Sequence, residues 1–252
     1  MGFYKKLTNF NKIFFIIFLL IDILLFIVPS IQTGSIESLF TPLSLITFTC
    51  SVSGILMAIY NSEATLHFFI WGLVNTTTYV VITYFQSLYG QVIVTLFAII
   101  PVQIFGLYIW TKNAKENQGE TIKIQRFNKK LWINHILFMV IGTILYCIFL
   151  YKLPNILHSL FGITIPGDKQ FILDSINAIA TLLAMYTGAQ RYVEQWYFWM
   201  LANTTGIIIF IISAVTTGTL SIDSLSTAIM WLQLEINCFY GYVQWQKIIK
   251  RQ

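Results

Sequence analysis

Charged side chains are scarce in this chain of 252 residues, and their scarcity excludes a soluble protein. Charged residues make up 10% of the sequence, whereas hydrophobic residues make up 57%. Ten acidic and fifteen basic side chains cannot cover the surface of a water-soluble globule of 29.0 kDa. They are sufficient for the short loops of a helical bundle in a lipid bilayer. We therefore interpret the chain as an integral membrane protein.

Cysteines and catalytic signatures are also few. Cys50, Cys147 and Cys238 lie in three different apolar stretches without C-x-x-C spacing, which argues against a disulfide framework or a zinc site. The sequence has no G-x-x-x-x-G-K-[ST] phosphate loop, no H-E-x-x-H pair and no G-x-S-x-G elbow. The basic residues lie between apolar runs and not on one amphipathic face, so nucleic-acid binding is not indicated. We expect no enzyme activity, no cofactor and no metal.

Long apolar stretches are abundant. A helix needs roughly 20 apolar residues to cross a bilayer, and eight stretches approach that length. The first is the weakest because it is short and contains Asp22, but no small-residue cleavage site follows it, so it is expected to remain as a spanning helix. The predicted spans lie near 13–28, 41–60, 66–85, 90–111, 131–151, 171–188, 194–213 and 223–246.

Basic residues predict the orientation of these spans, because Lys and Arg concentrate on the cytoplasmic side of a membrane. With eight spans and a cytoplasmic N-terminus, only Lys152 and Lys169 fall outside. The other thirteen fall inside: Lys5, Lys6, Lys12, Lys112, Lys115, Lys123, Arg126, Lys129, Lys130, Arg191, Lys247, Lys250 and Arg251. We therefore predict a multi-pass protein of the plasma membrane with both termini in the cytoplasm.

An internal repeat relates the two halves of the chain. The motif Phe68-x-x-Trp71-x-x-x-Asn75-Thr-Thr is matched by Trp196-x-x-Trp199-x-x-x-Asn203-Thr-Thr. In the next helix of each half, Gly106-x-x-x-Trp110-x-Lys112 is matched by Gly241-x-x-x-Trp245-x-Lys247. The preceding helices both close on Ala-x-Tyr, at Ala58 and Tyr60 and at Ala184 and Tyr186. Three consecutive helices are thus predicted to repeat in the same order.

Two parallel copies of a three-helix unit need an odd number of helices between them, and the stretch at 131–151 supplies one. The predicted fold is an all-α bundle of three plus one plus three helices with one additional N-terminal helix, an arrangement typical of transporters. The expected divisions are the N-terminal tail and additional helix at 1–40, the first unit at 41–112, the cytoplasmic loop and connecting helix at 113–170, and the second unit with the C-terminus at 171–252.

The repeated motif predicts a binding site near the middle of the membrane. Asn203 lies roughly 12 to 14 Å along its helix from the cytoplasmic boundary, since each residue adds about 1.5 Å. Aromatic rings and amides at that depth suit a flat polar ligand. The candidate residues of the repeat are Trp199, Asn203, Trp196, Trp71, Asn75 and Phe68, and further candidates with helical spacing are Asn177, Gln233, Asn237 and Tyr240.

Structural interpretations compete with this one. Trp110, Trp245 and Trp196 fall near the cytoplasmic boundary, where tryptophans commonly form an interfacial belt. The asparagines can instead join neighbouring helices by hydrogen bonds. Asp22 and Glu235 are the acids expected at membrane depth, but the repeat duplicates neither of them. A facilitator without ion coupling is therefore favoured.

The second half of the chain resembles the PnuC family of bacterial vitamin transporters. The resemblance rests on Thr181-Leu-Leu-Ala, Glu194-Gln-Trp196-Tyr-Phe-Trp199, Asn203 and Gly241-Tyr-Val-Gln-Trp245-Gln-Lys247, and it extends over about 41–247. In the first half, Phe68 replaces the leading tryptophan of the motif.

The resemblance implies a fold similar to that of full-length SWEET transporters and a place in the bacterial inner membrane. It also implies uptake of nicotinamide riboside by facilitated diffusion, a cytoplasmic kinase that traps the substrate, and a homotrimer. Members of the family also carry thiamine, riboflavin or deoxynucleosides, and these stay open as substrates. A membrane sensor that binds its ligand without moving it is the alternative from another class.

Overall fold

Helices account for most of the computed structural model, which describes residues 7–86, 88–116, 123–217 and 222–252. Lys5, Lys6 and residues 117–122 of the predicted cytoplasmic loop lie outside the described residues. The helices are α1 Asn9–Thr33, a 3-10 helix Ile36–Phe40, α2 Pro42–Ser62, α3 His67–Phe85, α4 Tyr89–Val94, a π-helical turn Thr95–Ile99, α5 Ile100–Glu116, α6 Lys129–Phe161, α7 Phe171–Ala189, α8 Gln195–Thr217 and α9 Ile222–Ile249.

The helices have the lengths that a membrane requires. Helix α4, the π-helical turn and α5 follow one another without a break and form one rod, here called the α4–α5 rod. Six rods in the described part are long and apolar enough to cross a bilayer, and they correspond to α1, α2, α3, the α4–α5 rod, α6 and α7. Helices α8 and α9, of 23 and 28 residues, complete the bundle. The predicted all-α polytopic membrane class is confirmed.

Capping residues set the ends of several helices. Thr8 and Asn128 begin α1 and α6, where their side chains accept the backbone N–H groups of the first turn. Thr41 caps α2 in the same way, and the proline that follows it occupies the first turn. Gly34 and Gly162 end α1 and α6 in the left-handed conformation that glycine adopts without strain.

The helix packing follows one pattern in both halves of the chain. Helix α2 packs on α3 as α7 packs on α8, and α3 packs on the α4–α5 rod as α8 packs on α9. The two halves meet where α2 contacts α9 and where α5 contacts α7. Helix α1 lies against α2 in the first half, and α6 lies against α7 in the second. These contacts surround the centre of the bundle with helices from both halves.

The turns before α3 and α8 share an unusual backbone conformation. Ala64 and Arg191 have φ values of 53° and 67°, which are uncommon for residues with a Cβ. The Arg191 turn also pairs with the segment before α6, because Gln125 N–H donates to Arg191 C=O at 2.8 Å and Val193 N–H donates to Gln125 C=O at 3.0 Å. This pairing ties the turn between α7 and α8 to the segment before α6.

Candidate functional site

A small cavity lies in the centre of the bundle, between helices of both halves. Its volume is about 60 Å³, and aromatic, thioether and neutral polar side chains line it. Among the residues that the structure describes, no charged side chain lines this central cavity. Its polar and aromatic lining residues are Asn75, Thr76, Tyr79, Gln91, Thr95, Gln103, Asn177, Thr181, Trp199 and Trp231.

A second and smaller space, here called the inner chamber, lies beside the central cavity and has a volume of about 20 Å³. Met57, Trp199 and Leu234 line both spaces and separate them. The inner chamber is otherwise lined mainly by amide and aromatic side chains, namely Asn61, Phe68, Trp196, Asn203 and Asn237, together with Ala58 and Cys238. Trp199 of the second motif is thus part of the wall between two neutral compartments.

The asparagines of the site are held by hydrogen bonds between helices. Asn75 Nδ2 donates to Cys50 C=O at 2.8 Å, and Asn177 Nδ2 donates to Ala202 C=O at 2.7 Å. Asn203 Nδ2 lies 3.1 Å from the Cys238 Sγ acceptor on α9. Each amide nitrogen therefore joins two helices. In this respect the interpretation of these residues as links between helices is correct. Among the described residues, however, Asn203 Oδ1 accepts no hydrogen bond.

Several polar atoms in the walls have no hydrogen-bond partner among the residues that the structure describes. A buried polar group without a partner is unfavourable in a protein interior, and a membrane core offers no bulk water in compensation. These atoms are Thr95 Oγ1, Thr181 Oγ1 and Trp231 Nε1 around the central cavity, and Asn61 Oδ1, Trp196 Nε1, Asn203 Oδ1 and Asn237 Nδ2 around the inner chamber. Donors and acceptors are both present, as binding of an amide or a hydroxyl group requires.

An aromatic plug closes the bundle beyond the inner chamber; it consists of Phe68, Phe69, Trp110, Trp196 and Trp245. The Trp110 and Trp245 ring centroids are 6.1 Å apart, and those of Trp196 and Trp245 are 5.8 Å apart. Trp110 and Trp245 are 0% exposed and Trp196 is 1% exposed. The interpretation of these tryptophans as an interfacial belt is wrong, because none of them faces lipid or solvent.

Comparison with known proteins decides the family. Residues 44–247 match the model of the family described as nicotinamide mononucleotide transporter. The chain belongs to this family. It is therefore a membrane transporter and not an enzyme, as the sequence predicts.

Individual relatives agree with the family match. The nicotinamide riboside transporter PnuC of Neisseria mucosa is 25% identical over 247 residues, covering 97% of this chain and 83% of that one. The protein of the same name from Haemophilus influenzae is 24% identical over 212 residues, covering 84% of this chain and 83% of that one. A crystal structure of the vitamin B3 transporter PnuC superposes with a TM-score of 0.74 at 25% identity and covers 97% of this chain and 93% of that chain.

The structure brings most of the candidate residues of this transporter to the two spaces. Trp199 lines both, Asn75 and Asn177 line the central cavity, and Phe68, Trp196, Asn203 and Asn237 line the inner chamber. Gln233 is fully buried next to them. A Cβ on Gly54 would lie 3.2 Å from Asn75 Nδ2 and 3.5 Å from Gln233 Nε2, so the two amides converge on this glycine.

Two candidate residues lie elsewhere. Tyr240 stacks on Phe10 of α1, with ring centroids 3.9 Å apart, and its hydroxyl is 2.7 Å from that of Thr8. Trp71 is half-buried against the hydrophobic core and lines neither of the two spaces. The structure therefore places Tyr240 where the N-terminal helix docks, and Trp71 outside the site.

Sequence reasoning missed the polar residues of the α4–α5 rod. Gln103 Nε2 donates to Thr76 Oγ1 at 2.7 Å, and Gln91 Nε2 donates to Asp174 Oδ1 at 3.3 Å. On an unbroken α-helix, residues twelve positions apart point about 120° away from each other. The π-helical turn Thr95–Ile99 lies between the two glutamines and turns less per residue, so both side chains reach the cavity. In the sequence, the polar residues within the apolar stretch 90–111 could have indicated that this helix contributes to the site.

Carboxyl groups also occupy the helix ends outside the spans. Asn11 Nδ2 donates to Glu63 Oε1 at 2.9 Å, which ties α1 to the turn after α2. Burial raises the pKa of the Glu63 carboxyl, and the bond from Asn11 offsets part of that rise. Burial likewise raises the pKa of Glu194, in the turn before α8, against the opposing effect of nearby backbone N–H groups and Arg126.

Proposed function

We propose that the chain imports nicotinamide riboside across the bacterial inner membrane by facilitated diffusion. The observation that carries this proposal is the neutral central cavity, where Tyr79, Trp199 and Trp231 surround amide and hydroxyl groups. A nicotinamide ring stacks on such rings, and its carboxamide and the ribose hydroxyls find donors and acceptors in the same walls. The relatives from Neisseria mucosa and Haemophilus influenzae are named for this substrate.

The riboside fits better than the mononucleotide for which the family is named. A phosphate group enters a protein interior only with positive partners or several hydrogen-bond donors around it. Among the described lining residues, neither the central cavity nor the inner chamber contains Lys or Arg. The same property supports trapping: once a cytoplasmic kinase has phosphorylated the riboside, the neutral pathway no longer accepts it.

The volume of the central cavity indicates a contracted state. About 60 Å³ is the share of roughly two water molecules in the liquid, and a nucleoside needs several times more. Substrate entry therefore requires the surrounding helices to separate. The two three-helix units, α2 with α3 and the α4–α5 rod, and α7 with α8 and α9, are the bodies that would move. Their contacts at α2–α9 and α5–α7 support rocking about the central site.

In this proposal the fold has the three plus one plus three arrangement of SWEET-like transporters. Helix α6 is the connecting helix, and α1 is the additional N-terminal one. Both termini lie in the cytoplasm, so the aromatic plug closes the cytoplasmic side. The long α6 exposes apolar side chains along most of its length, and a homotrimer would cover part of such a surface.

The proposed substrate contacts come from the residues that line the two spaces. Trp199, Asn75 and Asn177 contribute to the central cavity. Asn203, Asn237, Trp196 and Phe68 contribute to the inner chamber, with Gln233 beside them. Trp71 and Tyr240 are assigned to packing. Because no carboxylate among the described residues lines either space, neither offers an obvious site for a coupling cation.

The direct test is binding and flux with purified protein. Calorimetric titration with nicotinamide riboside, thiamine, riboflavin and a deoxynucleoside is followed by uptake into proteoliposomes. We expect the riboside to bind most tightly, to equilibrate across the membrane without an ion gradient, and to bind at least tenfold more weakly to Asn203→Ala, because a buried polar contact contributes about 1–3 kcal/mol. Binding without flux would identify a sensor, and binding of another vitamin alone would overturn the substrate.

A further inference from the structure

The buried carboxyl group of Asp174 contacts a residue in the wall of the central cavity, on the side that faces away from the cavity. Gln91 lines the cavity, and its Nε2 donates to Asp174 Oδ1 at 3.3 Å. Both side chains are buried, with 6% of Gln91 and 5% of Asp174 exposed. They come from different halves of the chain, Gln91 from α4 and Asp174 from α7. The bond engages the amide nitrogen of Gln91, so its Oε1 is the atom left to accept a hydrogen bond.

Asp174 also faces a second space. A cavity of about 220 Å³ lies on the predicted outer side, and Asp168, Lys169 and Asp174 contribute its charged lining groups. The lining of this outer cavity therefore contains two carboxyl groups and one ammonium group. The Gln91 and Asp174 side chains form part of the wall between this outer cavity and the central one.

The electrostatic consequence concerns the charge of the ligand. With neutral lining residues in the central cavity, the Asp174 carboxyl group lies only one side chain away from a bound molecule and is a negative charge when it is ionised. The Coulomb energy of two charges at a given distance is larger in a medium of low polarity, and the hydrogen-bonded amide between them is a polarisable link. A cation in the cavity also favours the ionised form of the carboxyl group. A positively charged ring gains from this arrangement, and a neutral ring does not.

We propose that Asp174, acting through Gln91, makes the transporter selective for cationic heteroaromatic rings. It is a specificity-determining residue that does not itself line the central cavity. The inference rests on the proposed function, because the pyridinium ring of nicotinamide riboside carries a positive charge. This selectivity divides the candidate substrates by charge. The ring of nicotinamide riboside and the thiazolium ring of thiamine are cationic, whereas riboflavin and the deoxynucleosides are neutral.

The test compares two ligands with the same substituents, nicotinamide riboside and its 1,4-dihydro form, whose ring is neutral and no longer aromatic; the variants below separate the effect of charge from that of aromaticity. Dissociation constants for both are measured by titration of the full-length protein in detergent micelles at one ionic strength. We expect the wild type to bind the cation at least about tenfold more tightly, the size of effect that a charge several ångströms away exerts at intermediate polarity. Equal affinities in the wild type would overturn the proposal without any variant.

Variants then locate the source of the preference. Asp174→Asn retains the shape and a hydrogen-bond acceptor but removes the charge, so the ratio of the two dissociation constants is expected to fall about tenfold. Asp174→Glu should retain most of the ratio. Gln91→Lys keeps Asp174 but neutralises it with an ion pair, and should also abolish the preference; it provides the test if Asp174→Asn fails to fold. Asp22→Asn, which removes a buried carboxyl group on α1, is the matched control with an unchanged ratio.

Different results would reject nicotinamide riboside as the substrate and Asp174 as the source of selectivity. If the wild type binds neither form of the riboside, the proposed substrate is wrong. If it binds both and folded Asp174→Asn weakens them by the same factor, the substrate stands and Asp174 has only a structural role. An unchanged ratio in both Asp174→Asn and Gln91→Lys would also reject the role of this pair.

Discussion

Trp110 and Trp245 make the same hydrogen bond in opposite directions between the two halves of the bundle. Trp110 Nε1 on α5 donates to Gly188 C=O at the end of α7, 3.0 Å away. Trp245 Nε1 on α9 donates to Asn61 C=O at the end of α2, 2.7 Å away. Each bond therefore joins the third helix of one half to the first helix of the other. Separation of the halves at the aromatic plug must break both bonds.

Replacement of either indole by a phenyl ring removes the N–H and part of the buried ring, and should loosen the plug. In Trp245→Phe and Trp110→Phe we expect Cys238, which lines the inner chamber and is 3% exposed, to react roughly 2–10-fold faster with a thiol reagent, because one hydrogen bond contributes about 0.5–1.5 kcal/mol. The rate is measured by mass spectrometry with Cys50 and Cys147 replaced by alanine. Trp132→Phe, on α6 and outside the plug, is the control. Unchanged labelling in both plug variants would show that the bonds do not hold the closed state.

The two glycines of the repeated Gly-x-x-x-Trp motif leave space for aromatic rings. A Cβ on Gly241 would overlap the Trp196 ring, and one on Gly106 would overlap the Phe69 ring. We expect Gly241→Ala and Gly106→Ala to lower the free energy of unfolding by about 1–3 kcal/mol, the usual range for overpacking, as measured by thermal melting in detergent. Gly167→Ala is the control, because nothing lies within 4 Å of its Cβ position. Equal melting temperatures for all three variants would contradict the close approach.

Trp231 offers a test that separates binding from stability. Its indole Nε1 has no hydrogen-bond partner among the described residues, although the side chain is only 6% exposed. Trp231→Phe removes ring volume but no hydrogen bond seen in the described part of the chain, so we expect the melting temperature to fall only by the effect of the lost packing. Affinity for the substrate should fall about 3–10-fold if the N–H donates to it. A large loss of stability with unchanged affinity would instead assign Trp231 to packing.

The carboxyl group of Glu63 should make stability depend on pH. Burial raises its pKa in the folded protein above the ordinary value of 4.5, so its contribution to stability is fully present below that value and decreases as the pH rises through the folded-state pKa. Glu63→Gln keeps an acceptor for Asn11 and removes the titration. We expect a flatter melting profile between pH 4.5 and neutrality, with a higher melting temperature at the neutral end. A parallel profile in the variant would exclude Glu63 as the source; Glu37→Gln, in the exposed 3-10 helix, is the control.

The class of the protein and the positions of its helices follow from its amino-acid sequence alone. Apolar length and charge scarcity are additive properties of a segment, so each of the eight predicted spans corresponds to a helical rod. Caps such as Thr41 and Gly162 act within one turn, which makes them readable without tertiary information. The repeated Trp-x-x-Trp-x-x-x-Asn motif also led to Trp199 and Asn203, which the structure brings to the inner chamber.

The sides on which the helices meet depend on the folded bundle and cannot be read from the sequence. Trp110 and Trp245 have the sequence positions of interfacial residues, but packing of helices far apart in the chain buries them in the aromatic plug. Gln91 and Gln103 share a wall because of one π-helical turn, whose hydrogen bonds no local pattern in the apolar stretch predicts. Tyr240 has the spacing of a site residue, yet α1 covers it. Periodicity specifies a helix face, whereas the partner of that face depends on helices contributed by the rest of the chain.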